Sequence, residues 1–159
     1  MGTRWMFWAA TLALVFDQVS KYLVVHAMDL ARIRSIDVLP PVLNFRYGEN
    51  TGINFGLFGG GSDASRWILI GFSLVLCVAI AVWIRGWHPS RRMQAAAGLV
   101  IGGALGNVVD RVAHGYVQDF LNMSCCGIIN PFVFNVADIF IFAGAAGLIL
   151  FEGRAKKAA

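Results

Sequence analysis

The amino-acid sequence predicts an all-α membrane protein: four transmembrane helices in one bundle, with a small β element at the outer surface. Composition is the first reason. Of 159 residues, 58% are hydrophobic and only 14% charged, and the mean hydropathy is +0.67. A soluble domain of this length could not hide that much apolar surface. The second reason is a set of four apolar stretches, at 5–27, 67–84, 93–109 and 132–151, each close to the roughly 20 residues that a helix needs to cross a bilayer. The third is the position of the charges, most of which fall at or between the ends of these runs. Residues 1–159 are therefore expected to form a single polytopic domain.

The first run follows Arg4 and invites comparison with a secretory signal. Asp17, Gln18 and Lys21 interrupt it, and it is longer than a signal core, so it reads as a retained span. The outer loop, 28–65, carries strand periodicity. Leu43-Asn44-Phe45-Arg46-Tyr47 alternates apolar and polar, and Ile53-Asn54-Phe55-Gly56-Leu57 does the same. Glu49-Asn50-Thr51-Gly52 between them is turn chemistry. A β-hairpin is expected there, with its apolar face on lipid or the bundle and Gly59-Gly60-Gly61 leading back to the second span. Pro40-Pro41 and Pro89 fall between runs, where helix breaking is harmless. The third run is short and rich in small residues. Gly98, Gly102 and Gly106 recur every four positions, the stripe that lets two membrane helices approach closely.

Four spans put both termini on one side. That side carries Arg4, Arg85, Arg91, Arg92, Arg154, Lys156 and Lys157 against one acid, Glu152. The two opposite loops hold Arg32, Arg34, Arg46, Arg66 and Arg111 against Asp29, Asp37, Glu49, Asp63 and Asp119. The excess of Lys and Arg makes the first side cytoplasmic. Trp5, Trp8, Trp67, Trp83 and Trp87 lie near predicted span ends, as interfacial aromatics do.

The polar residues inside the spans are the candidates for function. A carboxylate in hydrocarbon costs at least ~2.5–3.5 kcal/mol, so each one asks for a reason. Asp17 and Lys21 are four apart and share a helix face, either as a mutually neutralising pair or as substrate-positioning groups. Asn107, Asp110 and Arg111 follow the glycine stripe at the end of the third run, in a structural network or a site. Asp110 and Arg111 are adjacent and poorly placed to pair, so each is expected to bond elsewhere. Asn135 and Asp138 are three apart on one face of the fourth run. Counting from Pro131, Asp138 lies ~10 Å along that helix from its outer end. Asp119 sits in the polar stretch before it. All these groups converge on the outer leaflet.

Two carboxylates meeting in low dielectric cannot both ionise and so share a proton. The ionised one can activate water, and the protonated one can polarise a carbonyl and serve the leaving amine. That is the scheme of an aspartyl protease, which needs no metal and no cofactor. The alternatives are a packing or proton-relay role for Asp138 in a small proton-coupled transporter, or a non-catalytic lipid-binding scaffold. A relay needs polar groups through the whole membrane, and the inner halves of the second and fourth spans offer none.

Other chemistries lack their parts. His26, His88 and His114 are scattered, with no His-Glu-x-x-His pattern. No Gly-x-Ser-x-Gly motif and no glycine-rich phosphate loop occur. Ser20 points away from Lys21 on the helix, which argues against a Ser/Lys dyad. Cys77 lies in an apolar run, and Cys125-Cys126 has no second pair at zinc spacing. The net charge of +4 forms no basic stripe interleaved with aromatics, so nucleic acid is not an expected partner.

Five blocks in order resemble the lipoprotein signal peptidases (signal peptidase II), small four-span bacterial inner-membrane aspartyl proteases. They are Asp17-Gln18-Val19-Ser20-Lys21; Asn50-Thr51-Gly52-Ile53-Asn54-Phe55; Gly102-Gly103-Ala104-Leu105-Gly106-Asn107-Val108-Val109-Asp110-Arg111; Val117-Gln118-Asp119-Phe120; and Phe134-Asn135-Val136-Ala137-Asp138. The resemblance implies cleavage of diacylglyceryl-modified prolipoproteins just before the lipidated cysteine, at the periplasmic face. It implies Asp119 and Asp138 as the catalytic pair and assigns Asp110 to support. Asp17, Lys21, Asn50, Gly52, Asn107, Arg111, Asn135 and Ala137 fall at positions that line or brace the site. It further implies contact with membrane lipid and inhibition by the cyclic peptide globomycin. The outer β segment is placed to cradle substrate.

Overall fold

A computed structural model describes residues 3–52, 63–86, 89–124 and 130–155. The expected strand at 53–57, the glycines 59–61 and Cys125-Cys126 lie outside the described residues. The elements are helix α1 (Arg4–Lys21), its π-helical continuation (Tyr22–Ala27), the short helix α2 (Leu30–Ile33), strands β1 (Ser35–Leu39) and β2 (Leu43–Asn50), helices α3 (Asp63–Gly86) and α4 (Arg91–His114), strand β3 (Val117–Asn122) and helix α5 (Val136–Ala155). Among the described residues, three helices are long and apolar enough to cross a membrane: Arg4–Ala27, Asp63–Gly86 and Arg91–His114. The apolar part of α5, Val136–Phe151, is shorter.

Helix α4 is the axis of the bundle. Its low side-chain volume lets three helices close on it, and the contacts fix their directions. A Cβ added to Gly102 would lie 2.7 Å from Ala13 Cβ, and one added to Gly98 would lie 2.7 Å from Ala9 Cβ. Both positions rise together, so α1 runs parallel to α4. On another face, a Cβ on Gly103 would meet Ala137 O at 2.5 Å, while one on Gly147 would meet Ala96 Cβ at 2.9 Å. That order is reversed, so α5 runs antiparallel. Helix α3 is antiparallel too: Arg66 Nη2 donates to Val112 O at 2.8 Å, and Cys77 Sγ reaches Ile101 O at 3.9 Å. Side chains away from α4, such as Phe16, Phe72, Val75 and Phe142, are largely exposed, as a lipid-facing surface requires. At one end Trp5 lies beneath both Arg4 and Arg91, a cation–π clasp between the first turns of α1 and α4.

Capping sets the ends of α4. Ser90 accepts from Met93 N at 3.2 Å, and Gly115, at φ 90°, closes the other end with its N–H on Arg111 O. The helix is therefore longer than the expected 93–109.

Among the described residues the β element is a three-stranded antiparallel sheet in the order β1-β2-β3, while the second strand of the expected hairpin falls outside them. Glu49 and Asn50, read as turn residues, continue β2 because β3 supplies their partners, Gln118 and Val117. A bulge between Phe45 and Gly48 sets Gly48 opposite Asp119. The fourth apolar run is also corrected. Phe134 N and O bond Leu121 and Phe120 of β3 at 2.8–3.0 Å, so 132–135 cannot be helical, and α5 starts at Val136. Asp138 is thus in the first turn, not ~10 Å down the helix.

The glycine contacts give a direct check on the α1–α4 seam. Gly102→Ala drives a methyl into α1 backbone and should cost about 1–3 kcal/mol, read as a lower melting temperature in detergent. Gly71→Ala, with nothing within 4 Å of the added carbon, should be neutral or slightly stabilising.

Candidate active site

The C-terminal ends of α1 and α4, the start of α5 and strand β3 meet in one buried polar cluster. Asp17 and Asn135 are fully buried, and Lys21, Asp110 and Asp119 nearly so. The i,i+4 spacing places Lys21 Nζ on Asp17 Oδ2 at 2.7 Å. The same ammonium reaches Asp110 Oδ2 at 2.8 Å and Asn107 Oδ1 at 3.4 Å. Each carboxylate in turn holds another element. Asp17 Oδ1 accepts from Ala137 N at 2.9 Å, fixing the first turn of α5. Asp110 Oδ2 accepts from Gln118 N at 2.9 Å, fixing β3. Gln18 Nε2 bridges Asp110 Oδ1 at 3.0 Å and Asp17 Oδ2 at 3.2 Å. Gly106 makes the space: a Cβ there would lie 2.5 Å from Asp17 Oδ2. Asp110 and Arg111 bond elsewhere, as expected from their adjacency; Arg111 Nη1 turns back to Asn107 O at 3.5 Å.

Asp119 and Asp138 sit on this foundation, joined by Asn135. Asn135 Nδ2 donates to Asp119 Oδ1 at 2.6 Å. Its backbone N–H donates to Asp138 Oδ2 at 3.2 Å, and its Oδ1 accepts from Asp138 N at 3.0 Å. The last two bonds form a capping box at the start of α5. Asn107 Nδ2 adds a bond to Asp138 Oδ1 at 3.2 Å. Asn50 Nδ2 approaches from β2, donating to Asp119 Oδ2 at 3.0 Å. Gly52, at φ 92°, lies under Leu69 and within 3.4 Å of Arg111 Nη2, measured from an added Cβ.

Burial, and after it the charge of Asp138, raises the Asp119 carboxyl from 3.8 to about 6; the bonds from Asn135 and Asn50 and the charge of Lys21 pull the other way. Asp119 therefore holds its proton to a higher pH than an ordinary carboxyl.

The residues singled out from sequence all belong to this one cluster. Sequence reasoning did not assign roles to Gln18, to the Gln118 N–H or to Gly48. Gln18 had a signal, since it flanks Asp17 within an otherwise apolar helix. The other two depend on strand pairing across the chain.

Residues 9–152 match the family described as signal peptidase (SPase) II. The chain belongs to the signal peptidase II family. It is 41% identical to a lipoprotein signal peptidase of Beijerinckia indica, over 89% of this chain and 83% of the relative. It is 42% identical to one from Trichormus variabilis, over 91% and 87%. A relative from Alteromonas mediterranea, 41% identical, covers 94% and 80%. Two solved structures of a bacterial membrane enzyme, determined in meso at 2.3 and 1.9 Å resolution, superpose with TM-scores of 0.74 and 0.75 at 28% identity. They cover 97% and 91% of this chain, and 89% and 90% of their own. As a family member with several long apolar helices, the chain is a multi-pass membrane protein.

Two measurements probe the cluster. Lys21→Met leaves Asp17 and Asp110 buried without their shared cation, which should cost about 3–5 kcal/mol and be read as a large drop in melting temperature. The second uses pH. A carboxyl whose folded pKa is raised contributes stability that is full below its ordinary value and is lost as pH rises through the folded one. The melting temperature of wild type relative to Asp119→Asn should therefore fall between pH 3.8 and about 6. A difference that stays flat or grows across this window contradicts the burial of Asp119.

Proposed function

We propose that this signal peptidase II is an aspartyl endopeptidase, removing the signal peptide from diacylglyceryl-modified prolipoproteins by cutting before the lipidated cysteine. The observation that carries the assignment is the pair Asp119 and Asp138, held by the two ends of Asn135. In this reading Asp138 is the ionised partner. It lies at the positive end of the α5 dipole and accepts N–H bonds from Asn107 and Asn135. It takes a proton from water as the water oxygen bonds to the scissile carbonyl carbon. Asp119 gives its proton to the carbonyl oxygen. When the tetrahedral diol collapses, Asp138 passes its proton to the departing nitrogen and the diol returns one to Asp119. The products are a carboxylic acid on the signal peptide, which gives its proton to water or to the new amine, and a free amino terminus on the lipidated cysteine. Asn50, Asn107 and Asn135 hold the carboxyls in register, while Asp17, Lys21, Gly52, Asp110, Arg111 and Ala137 brace them.

The membrane arrangement is part of the proposal. One domain over residues 1–159 crosses four times, both termini are cytoplasmic, and the site faces the periplasm from the inner membrane. Helix α5 has 20 residues, about 30 Å of helix, and lies antiparallel to α4, which supports a fourth span. The Lys and Arg excess at the end opposite the dyad supports the orientation. Lipid around the bundle keeps the diacylglyceryl anchor, and with it the scissile bond, near the outer leaflet. Globomycin is expected to compete for the same carboxyls.

The test is cleavage of a diacylglyceryl-modified prolipoprotein by purified protein. Asp119→Asn and Asp138→Asn should each lower turnover about 10²–10⁴-fold while the helical circular dichroism persists, and globomycin should inhibit wild type. Near-wild-type turnover in either folded variant overturns the dyad.

A further inference from the structure

A second concavity lies beside the proposed dyad, on the sheet. It holds about 690 Å³, within the range of ligand sites. It is more polar than the apolar groove between α1 and α3: Arg34, Asp37, Asn44, Arg46 and Tyr47 line it, with Pro41, Pro131 and Val133 among its apolar walls. Gly48 connects the two sites. A Cβ on Gly48 would lie 3.5 Å from Val133 Cβ and 3.7 Å from Asp119 Cβ, so the cavity wall and Asp119 both border the space a side chain at Gly48 would fill.

Its two guanidinium groups are cations without an ionic partner. Among the described residues neither Arg34 nor Arg46 enters a salt bridge, the three ion pairs being Lys21 with Asp17, Lys21 with Asp110 and Arg32 with Asp29. Arg34 is held in place, its guanidinium 4.7 Å from the Tyr47 ring centroid and its carbonyl accepting from Tyr47 N at 3.0 Å. Tyr47 in turn hydrogen-bonds Tyr116 at 2.9 Å between hydroxyls. Asn44 Oδ1 is buried without a hydrogen-bond partner. Two guanidinium groups against the single carboxylate of Asp37 leave the cavity net positive.

We infer that this cavity binds the substrate segment that follows the lipidated cysteine and favours acidic side chains there. The inference rests on the peptidase reading above. A signal peptide is apolar and belongs among the helices, whereas the segment beyond the cut is the part that meets water and could enter a polar, charged cavity outside them. Arg34 and Arg46 take the carboxylates of that segment.

The experiment uses three diacylglyceryl-modified prolipoproteins identical but for the first four residues after the cysteine, made acidic, neutral or basic. Wild type should cleave the acidic form about tenfold better than the basic one in kcat/KM, with the difference in KM and shrinking as salt rises. The double variant Arg34→Glu/Arg46→Glu should reverse that order. Equal kcat/KM for the three substrates in wild type, or an order unchanged in the variant, overturns the inference while leaving the peptidase reading intact. Failure to cleave any of the three in wild type removes the peptidase reading and the inference with it. A variant that loses affinity for anionic phospholipid vesicles and slows on all three alike assigns the cavity to lipid headgroups and also overturns the inference.

Discussion

A single buried ammonium organises this molecule. Lys21 Nζ lies within 2.8 Å of two carboxylates from different helices, and each carboxylate spends another oxygen or lone pair on a backbone N–H elsewhere. Through Asp17 the charge reaches the start of α5, and through Asp110 it reaches β3. Those are the two elements that carry Asp138 and Asp119. Removing either acid leaves a buried charge short of a partner, which is far more costly than the pair is favourable. The triad therefore specifies an arrangement more than it adds net stability. It lets a chain of small helical residues hold a strand against the end of a bundle.

The two carboxyls assigned to the chemistry are held together by one side chain and kept unlike by their surroundings. Asn135 bonds both, so their spacing cannot relax without breaking the cap of α5. Asp138 lies where a helix start favours negative charge. Asp119 lies on a strand, nearly out of reach of water, and its raised pKa follows from that burial first and from Asp138 second. Asp119 thus keeps its proton to a higher pH than an ordinary carboxyl, as the acid role assigned to it requires.

The helical part of this design was legible because it rests on local periodicity. The four-residue spacing of Asp17 and Lys21, and of Gly98, Gly102 and Gly106, is a statement about one helix face and survives without knowledge of the partner. The sheet was not legible in the same way. β2 has a strand's alternation, but its neighbour β3 lies about seventy residues further on, and nothing local in Glu49-Asn50 says that Gln118 and Val117 will pair with them. The start of α5 failed for a related reason. Pro131 to Phe134 is as apolar as the helix it precedes, so hydropathy cannot divide them. The boundary was nevertheless written in Asn135 and Asp138, whose three-residue spacing is a capping signature. Reading that pair first as a cap, and only then as a polar helix face, would have placed Asp138 in the first turn.

Placement of Asp138 in that turn changes the physical problem the site has to solve. Deep in the bilayer, an ionised carboxylate and the water it activates would both have to be carried into hydrocarbon. In the first turn of α5, the carboxylate is paired with backbone and amide donors, and the sheet lies directly beyond it. Bringing β3 down onto the helix ends puts Asp119 at the same level without adding a charge to any span. The bulge at Phe45/Gly48 and the bare backbone of Gly48 leave Asp119 with no β2 side chain opposite it. A strand, rather than a fifth polar helix position, is the cheaper way to set a second acid beside the first, since its backbone bonds are satisfied by β2 and by Phe134. The sheet is then what brings Asp119 to the level of Asp138 at the helix ends.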